Sequence, residues 1–278
     1  SGNFTVNALN WSPDSRKIVF SHSEEPTFNS RSITGDVSIV TVAEESIKTL
    51  VDWPGVDADP IFSPDGRMVA FSSDGGTTER IGLGDCFVVQ AKGGKPKKLA
   101  ETPNRSVGVR GAPGILQWSN DGKHVYTSDY EGTRTQIYRL DVKGKKISGL
   151  TSYDGVISNP ILSPDEKQIA FVGQSTEKPS ELYVSDLQKF SPKALSSFNR
   201  GMEWPDITNT ERLNWESKDG LAIEGLLTYP SGYEKGKQYP LALIIHGGPA
   251  GVFTETFTGS PSIYVIQYFA EKGYAVLR

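Results

Sequence analysis

The chain of 278 residues is 36% hydrophobic and 22% charged, enough apolar material for a sizeable core and too much for a disordered or fibrous protein. Its formal net charge of −4 gives no electrostatic reason to expect nucleic acid or an anionic membrane as partner. A single cysteine, Cys86, excludes an intrachain disulfide and a zinc centre built on cysteine clusters, and no apolar run approaches the ~20 residues that cross a bilayer. None of these features assigns a compartment.

From the N-terminus onward, one decapeptide recurs. Residues 11–20 (WSPDSRKIVF) and 62–71 (FSPDGRMVAF) are close copies, and residues 118–127 (WSNDGKHVYT) and 162–171 (LSPDEKQIAF) are looser ones. The serines at 12, 63, 119 and 163 are 51, 56 and 44 residues apart, a spacing that suits one four-stranded propeller blade per copy. In each copy an apolar residue ends one strand and Ser-Pro-Asp-Gly turns the chain. Proline sets φ, aspartate accepts local backbone N–H bonds, and glycine tolerates positive φ. The next strand puts Ile18 and Phe20, or Val69 and Phe71, on one face and Val19 or Ala70 on the other. Both faces are therefore apolar, as a strand sandwiched between neighbouring sheets requires.

Partner strands are expected at 36–42, 86–91, 136–142 and 181–187, each followed by a polar, often glycine-rich turn and a further apolar element. Helical periodicity is absent across 1–205. Four copies stand at the low end of the about four to eight blades that close a propeller, so further blades are expected upstream. Residues 1–207 thus read as an incomplete set of blades of an all-β propeller.

After Pro205 the pattern changes. Residues 211–217 and 221–229 read as strands around Lys218-Asp219-Gly220. The apolar run 241–245 is expected to be a strand buried on both faces. His246-Gly247-Gly248-Pro249-Ala250-Gly251 follows it directly. Residues 262–272 have a helix-like pattern with Gly273 as stop, and 274–277 open another strand. Strand, glycine loop, helix and strand are the start of an α/β unit. We therefore read 208–278 as the N-terminal portion of an α/β-hydrolase domain, truncated before its nucleophile.

A glycine-rich loop after the third strand of such a domain offers a backbone N–H to the oxyanion of a tetrahedral intermediate. Gly247 and Gly248 are the candidates, because the backbone must approach the reacting carbonyl without a side chain in the way. An ordinary glycine turn is the plainer reading of the tetrapeptide alone; its place between an apolar strand and a helix favours the oxyanion role. No Gly-x-Ser-x-Gly occurs, and the nearest string is Gly173-Gln-Ser-Thr-Glu177. Of the three histidines, His22 and His124 read as surface or turn residues. His246 precedes the place of a nucleophile and is not a triad base by chain order.

The Ser-Pro-Asp-Gly-type repeats, the segment 215–220 (WESKDG), the strand 221–230 and the segment 239–249 together resemble the prolyl oligopeptidase family of serine peptidases. His-Gly-Gly-Pro is similar to that of its acylaminoacyl-peptidase and dipeptidyl-peptidase branch. The resemblance covers essentially the whole chain. It implies a propeller that caps the active site and admits short peptides, with Gly248 as oxyanion donor and Gly247 shaping the loop. It also places the catalytic serine, aspartate and histidine beyond Arg278. The implied partners are a short peptide and the remaining C-terminal hydrolase portion, with no cofactor or metal, and this chain alone is expected to be inactive. The competing readings are a non-catalytic propeller binding module and an esterase-type hydrolase.

Further candidates are less specific. Arg105 and Arg110, in the glycine- and proline-containing stretch 102–114, would bind a peptide carboxylate if they faced the central cavity; solvated loop arginines are the plainer reading. Glu24, Glu25 and Arg31 flank another long loop and invite the same comparison. Asp52, Asp57 and Asp59 lack calcium-loop spacing and read as turn and cap residues.

Overall fold

The computed structural model describes residues 5–24, 33–77, 83–108, 114–204, 206–247 and 251–278. They form five four-stranded sheets, and the chain divides into two compact units, Ser1–Tyr130 with Gln136–Thr151 and Glu131–Thr135 with Ser152–Arg278.

The first unit holds three propeller-blade-type sheets, each in simple sequential order, except that the turn Glu131–Thr135 belongs to the second unit. They comprise β1 (Thr5–Trp11), β2 (Lys17–Ser23), β3 (Asp36–Thr41) and β4 (Ser46–Val51); β5 (Asp57–Phe62), β6 (Met68–Ser73), β7 (Asp85–Gln90) and β8 (Lys97–Lys98); and β9 (Ile115–Trp118), β10 (His124–Glu131), β11 (Arg134–Asp141) and β12 (Ile147–Gly149). The middle sheet shows what the period of two accomplishes. Val69, Phe71, Phe87 and Val89 pack into one core with Val19, Val37, Ile39 and Leu50. Ala70, Cys86 and Val88, on the opposite face, pack into a second core with Trp118, Val125, Tyr138 and Leu140. Two polar ties cross between sheets: Phe62 N donates to Asn10 Oδ1 at 3.0 Å, and Trp118 Nε1 to the Ile61 carbonyl at 3.1 Å.

Every decapeptide builds the same turn. The serine Oγ donates to the aspartate Oδ1 two residues on at 2.7 Å in all four copies. The same Oγ accepts the backbone N–H five residues on, at 2.8–3.0 Å. Ser217, Asp219 and Leu221 repeat the arrangement with a register one residue shorter. The residue after the aspartate is left-handed each time, with φ between +57° and +85° at Ser15, Gly66, Gly122, Glu166 and Gly220. The repeat also extends upstream. In β5 and in β13 (Val156–Leu162) the register slips at Asp59 and at Asn159, whose φ values are +50° and +47°. Asp and Asn tolerate that region best, so these are bulge residues.

The second unit contains the fourth blade-type sheet: β13, β14 (Gln168–Gln174), β15 (Glu181–Asp186) and β16 (Lys193–Ala194), all antiparallel. It also contains a mixed sheet of β17 (Thr210–Glu216), β18 (Ala222–Thr228), β19 (Leu241–Leu243) and β20 (Ala275–Leu277) in the order β17-β18-β20-β19. β19 and β20 are parallel, which requires a crossover, and the short helix Ile266–Glu271 lies in it. Residues 262–265 stay outside the helix, while Gly273, at φ +86°, closes it by donating to the Ala270 carbonyl at 3.0 Å. The run 241–245 is not buried on both faces. Leu241, Leu243 and Ile245 are 56%, 62% and 77% exposed, because among the described residues β19 is the sheet edge and pairs with β20 alone. Among the described residues, no helix is long and apolar enough to cross a membrane.

Candidate functional site

The glycine loop leaves the sheet at β19. Ile244 still donates to the Leu277 carbonyl at 2.8 Å; His246 and Gly247 follow, and Gly248 lies outside the described residues. Gly247 is exposed, and a Cβ on it would meet nothing within 4 Å, so this part of the loop leaves open space in front of its backbone. Gly251 is different, since a Cβ there would lie 2.9 Å from His246 Nδ1. The imidazole is held on two sides. Its Nδ1 is 3.0 Å from the Gly247 carbonyl, and its ring meets the Phe253 ring edge-on at 5.6 Å. Phe253 in turn packs against Tyr264 at 5.2 Å and beneath the Arg278 guanidinium at 5.8 Å.

These groups line a cavity of about 690 Å³ together with Gln174 and Thr258. Burial pushes the Arg278 pKa down to about 10, against the opposing charge of Glu255. The cavity's far wall is pinned to the β14–β15 connection. Phe257 N donates to Gln174 Oε1 at 3.0 Å, and Thr258 donates from its N–H and its hydroxyl to the Thr176 carbonyl at 3.1 and 2.8 Å. A second cavity, of about 550 Å³, is lined by Arg134, Arg212, Glu255, Asp154, Tyr153 and Tyr183.

The other sequence candidates fall elsewhere. Arg105 is not a solvated loop arginine: it forms a bidentate pair with buried Asp85, at 3.2 Å from Nε and 2.7 Å from Nη2. That hydrogen-bonded carboxylate raises its pKa. Arg110, Glu25 and Arg31 lie outside the described residues, and Glu24 is exposed. His22 is buried rather than superficial, because it sits inside β2, where Nε2 reaches Ser38 Oγ at 2.8 Å. His124 opens β10 half-buried.

Asp57 caps the preceding turn, accepting from Trp53 N at 3.3 Å, yet it does so from within β5 at 1% exposure. Burial raises its pKa to about 7, and nearby Asp74 and Asp36 add to the rise. Asp59 is the bulge residue described above, and Asp52 is exposed. Among the described residues, no group of three or more His, Cys, Asp or Glu side chains is placed to hold a metal ion.

Glu255 carries no signal in the sequence that singles it out. It lies in an irregular segment and is 8% exposed. Burial raises its pKa, but hydrogen bonds from Arg212 and Thr133 and the charge of Arg134 outweigh that and hold it below the ordinary value.

Comparison with known proteins places this architecture. The TolB beta propeller domain family, PD40, matches residues 10–209. Dipeptidyl-peptidase 5 of Trichophyton equinum is 23% identical over 229 residues, which are 80% of this chain and 30% of that protein. An uncharacterized peptidase of Bacillus subtilis (strain 168), YuxL, is 28% identical over 160 residues, 58% of this chain and 23% of its own. A puromycin-hydrolyzing peptidase of Mycobacterium tuberculosis superposes on 100% of this chain and 41% of its own with a TM-score of 0.70, at 15% identity. The chain therefore spans about 30% of the length of the dipeptidyl-peptidase it matches. With the repeated turn, the four blade-type sheets and a family match over most of its length, the chain belongs to the TolB beta propeller domain family.

Proposed function

We propose that this chain is the propeller part, with the opening of an α/β-hydrolase domain, of a serine peptidase acting on short peptides in the manner of an acylaminoacyl- or dipeptidyl-peptidase. Residues 1–207 would form the propeller and 208–278 the start of the peptidase domain. One observation carries the reading: the His246-Gly247 loop leaves a strand that is parallel to β20 and opens directly onto a cavity. The matched relatives that bear peptidase names support the same class of reaction.

The chemistry follows from the loop. When a serine attacks a peptide carbonyl, the carbonyl oxygen takes up negative charge, and N–H donors fixed at about 2.7–3.1 Å from it lower the barrier. Gly248 would supply one such N–H, and Gly247 leaves room for the substrate. The propeller would exclude long or folded chains. The nucleophile, acid and base would come from the remainder of the parent protein, since no Gly-x-Ser-x-Gly occurs in these 278 residues.

The test uses the 278-residue chain and the full-length parent with aminoacyl and dipeptidyl chromogenic substrates. The chain alone should be inactive and the parent active. Gly248→Val in the parent should lower kcat by about 10²–10³-fold with a smaller change in KM. An unchanged kcat would remove the loop from the mechanism. A parent that cleaves esters but no peptide would turn the assignment to an esterase.

A further inference from the structure

Glu255 is where the segment following the glycine loop is fastened. Its N–H donates to the Thr133 carbonyl at 2.9 Å. Its carboxylate accepts from Thr133 Oγ1 at 2.8 Å, from Arg134 Nε at 3.1 and 3.2 Å, and from Arg212 Nε at 3.1 Å. Arg212 Nη2 bonds to it as well. Each of these donors is braced in turn. Arg134 pairs with Asp154, Arg212 lies 3.7 Å from Glu224, and Thr133 N donates to Glu224 Oε1 at 2.7 Å. Even Gly132 is shaped to this contact: it has a φ of +60°, and a Cβ on it would stand 2.3 Å from Glu224 Oε1.

A carboxylate so nearly buried and accepting from two guanidiniums and a hydroxyl has one low-energy position. The same segment also touches the glycine loop. Two residues before Glu255, Phe253 presents its ring to His246, and His246 Nδ1 meets the Gly247 carbonyl. Holding the Gly247 carbonyl fixes the loop at the point where it leaves the sheet. We propose that Glu255 is a positioning residue for the glycine loop. In this role it ties the loop, through Phe253 and His246, to the β10–β11 turn and to β17. The catalytic consequence rests on the oxyanion reading given above; the positioning itself does not.

The experiment exploits the chain's three histidines. In the 278-residue chain, Glu255→Gln should shift the His246 ring NMR signals as Phe253 moves away, leaving His22 and His124 signals in place. Unmoved His246 signals would overturn the inference. Should Glu255→Gln disturb all three histidines, and thus the whole fold, Arg134→Gln is the second variant. Its side chain is one-third exposed, and it is judged by the same criterion. In the full-length parent, Glu255→Gln should lower kcat at least tenfold while KM changes less than threefold, a split that general destabilisation does not produce. Shifted His246 signals in a parent that cleaves no peptide would leave the positioning role standing and remove the peptidase reading. An active parent whose kcat ignores Glu255→Gln would confine the clamp to the loop's structure and overturn its catalytic consequence.

Discussion

In the second blade, Val69, Ala70 and Phe71 are consecutive on β6 and all are 0% exposed, whereas in the mixed sheet Leu241 and Leu243 on β19 are more than half exposed. Both strands are short, continuous apolar runs, and by hydrophobicity alone they are equivalent. What differs is the company they keep. β6 has a strand on each side and a core on each face, while β19 has one neighbouring strand. An apolar run therefore states what a strand is able to bury, and only the surrounding layers determine what it does bury.

The largest expected effect comes from substituting across that contrast. Phe71→Ala removes a ring stacked on Phe87 at 5.7 Å and flanked by Trp53, and should cost about 3–5 kcal/mol in urea unfolding. Leu243→Ala, on the exposed edge, should stay within about 0.5 kcal/mol. Equal losses at the two sites would show that the edge is covered in solution.

Next in size is a pH effect in the first unit. Asp57 has a folded pKa of about 7 against 3.8 for a free carboxyl, so the folded state binds the proton more tightly. Its contribution is full below pH 3.8 and is lost as pH rises through 7. Stability should thus fall by about 2 kcal/mol between pH 5 and pH 7 on this account, and Asp57→Asn should flatten the profile. A slope that survives the substitution would place the proton elsewhere.

The turn aspartates act in the opposite sense. The serine hydroxyl and backbone N–H bonds depress Asp14, Asp65 and Asp165, so their contribution is present above 3.8 and lost as pH falls. Smaller than the Phe71 and Asp57 effects is that at this turn: Ser63→Ala removes one acceptor and one donor and should cost about 1 kcal/mol. Ser217→Ala tests whether the copy in the mixed sheet, which is more exposed, matters less.

Much of this architecture was legible beforehand. The four Ser-x-Asp copies mark the blades, and the apolar run, helix-like pattern and second apolar run of 241–277 fall in the order of β19, the helix and β20. Asp59 and Asn159 are a pair that the sequence also marks, since each stands before Pro-Ile and three residues ahead of an apolar residue and serine. By residue type alone, His22 reads as a surface or turn residue. Its position within β2 puts it where Ser38 accompanies it in the interior. Glu255 could not be found at all, since its partners Thr133, Arg134 and Arg212 stand 122, 121 and 43 residues away.

The sequence by itself determined the turns, the strands between them and the repeat that makes this a propeller chain. The forces responsible, a hydroxyl reaching an aspartate two residues on and side chains alternating along a strand, act within about six residues. The tertiary structure alone decided which apolar faces are covered, how Arg105 and Asp57 are housed, and how Glu255 is held. Burial and ion pairing depend on segments that meet in space, and no local pattern records where distant segments will meet.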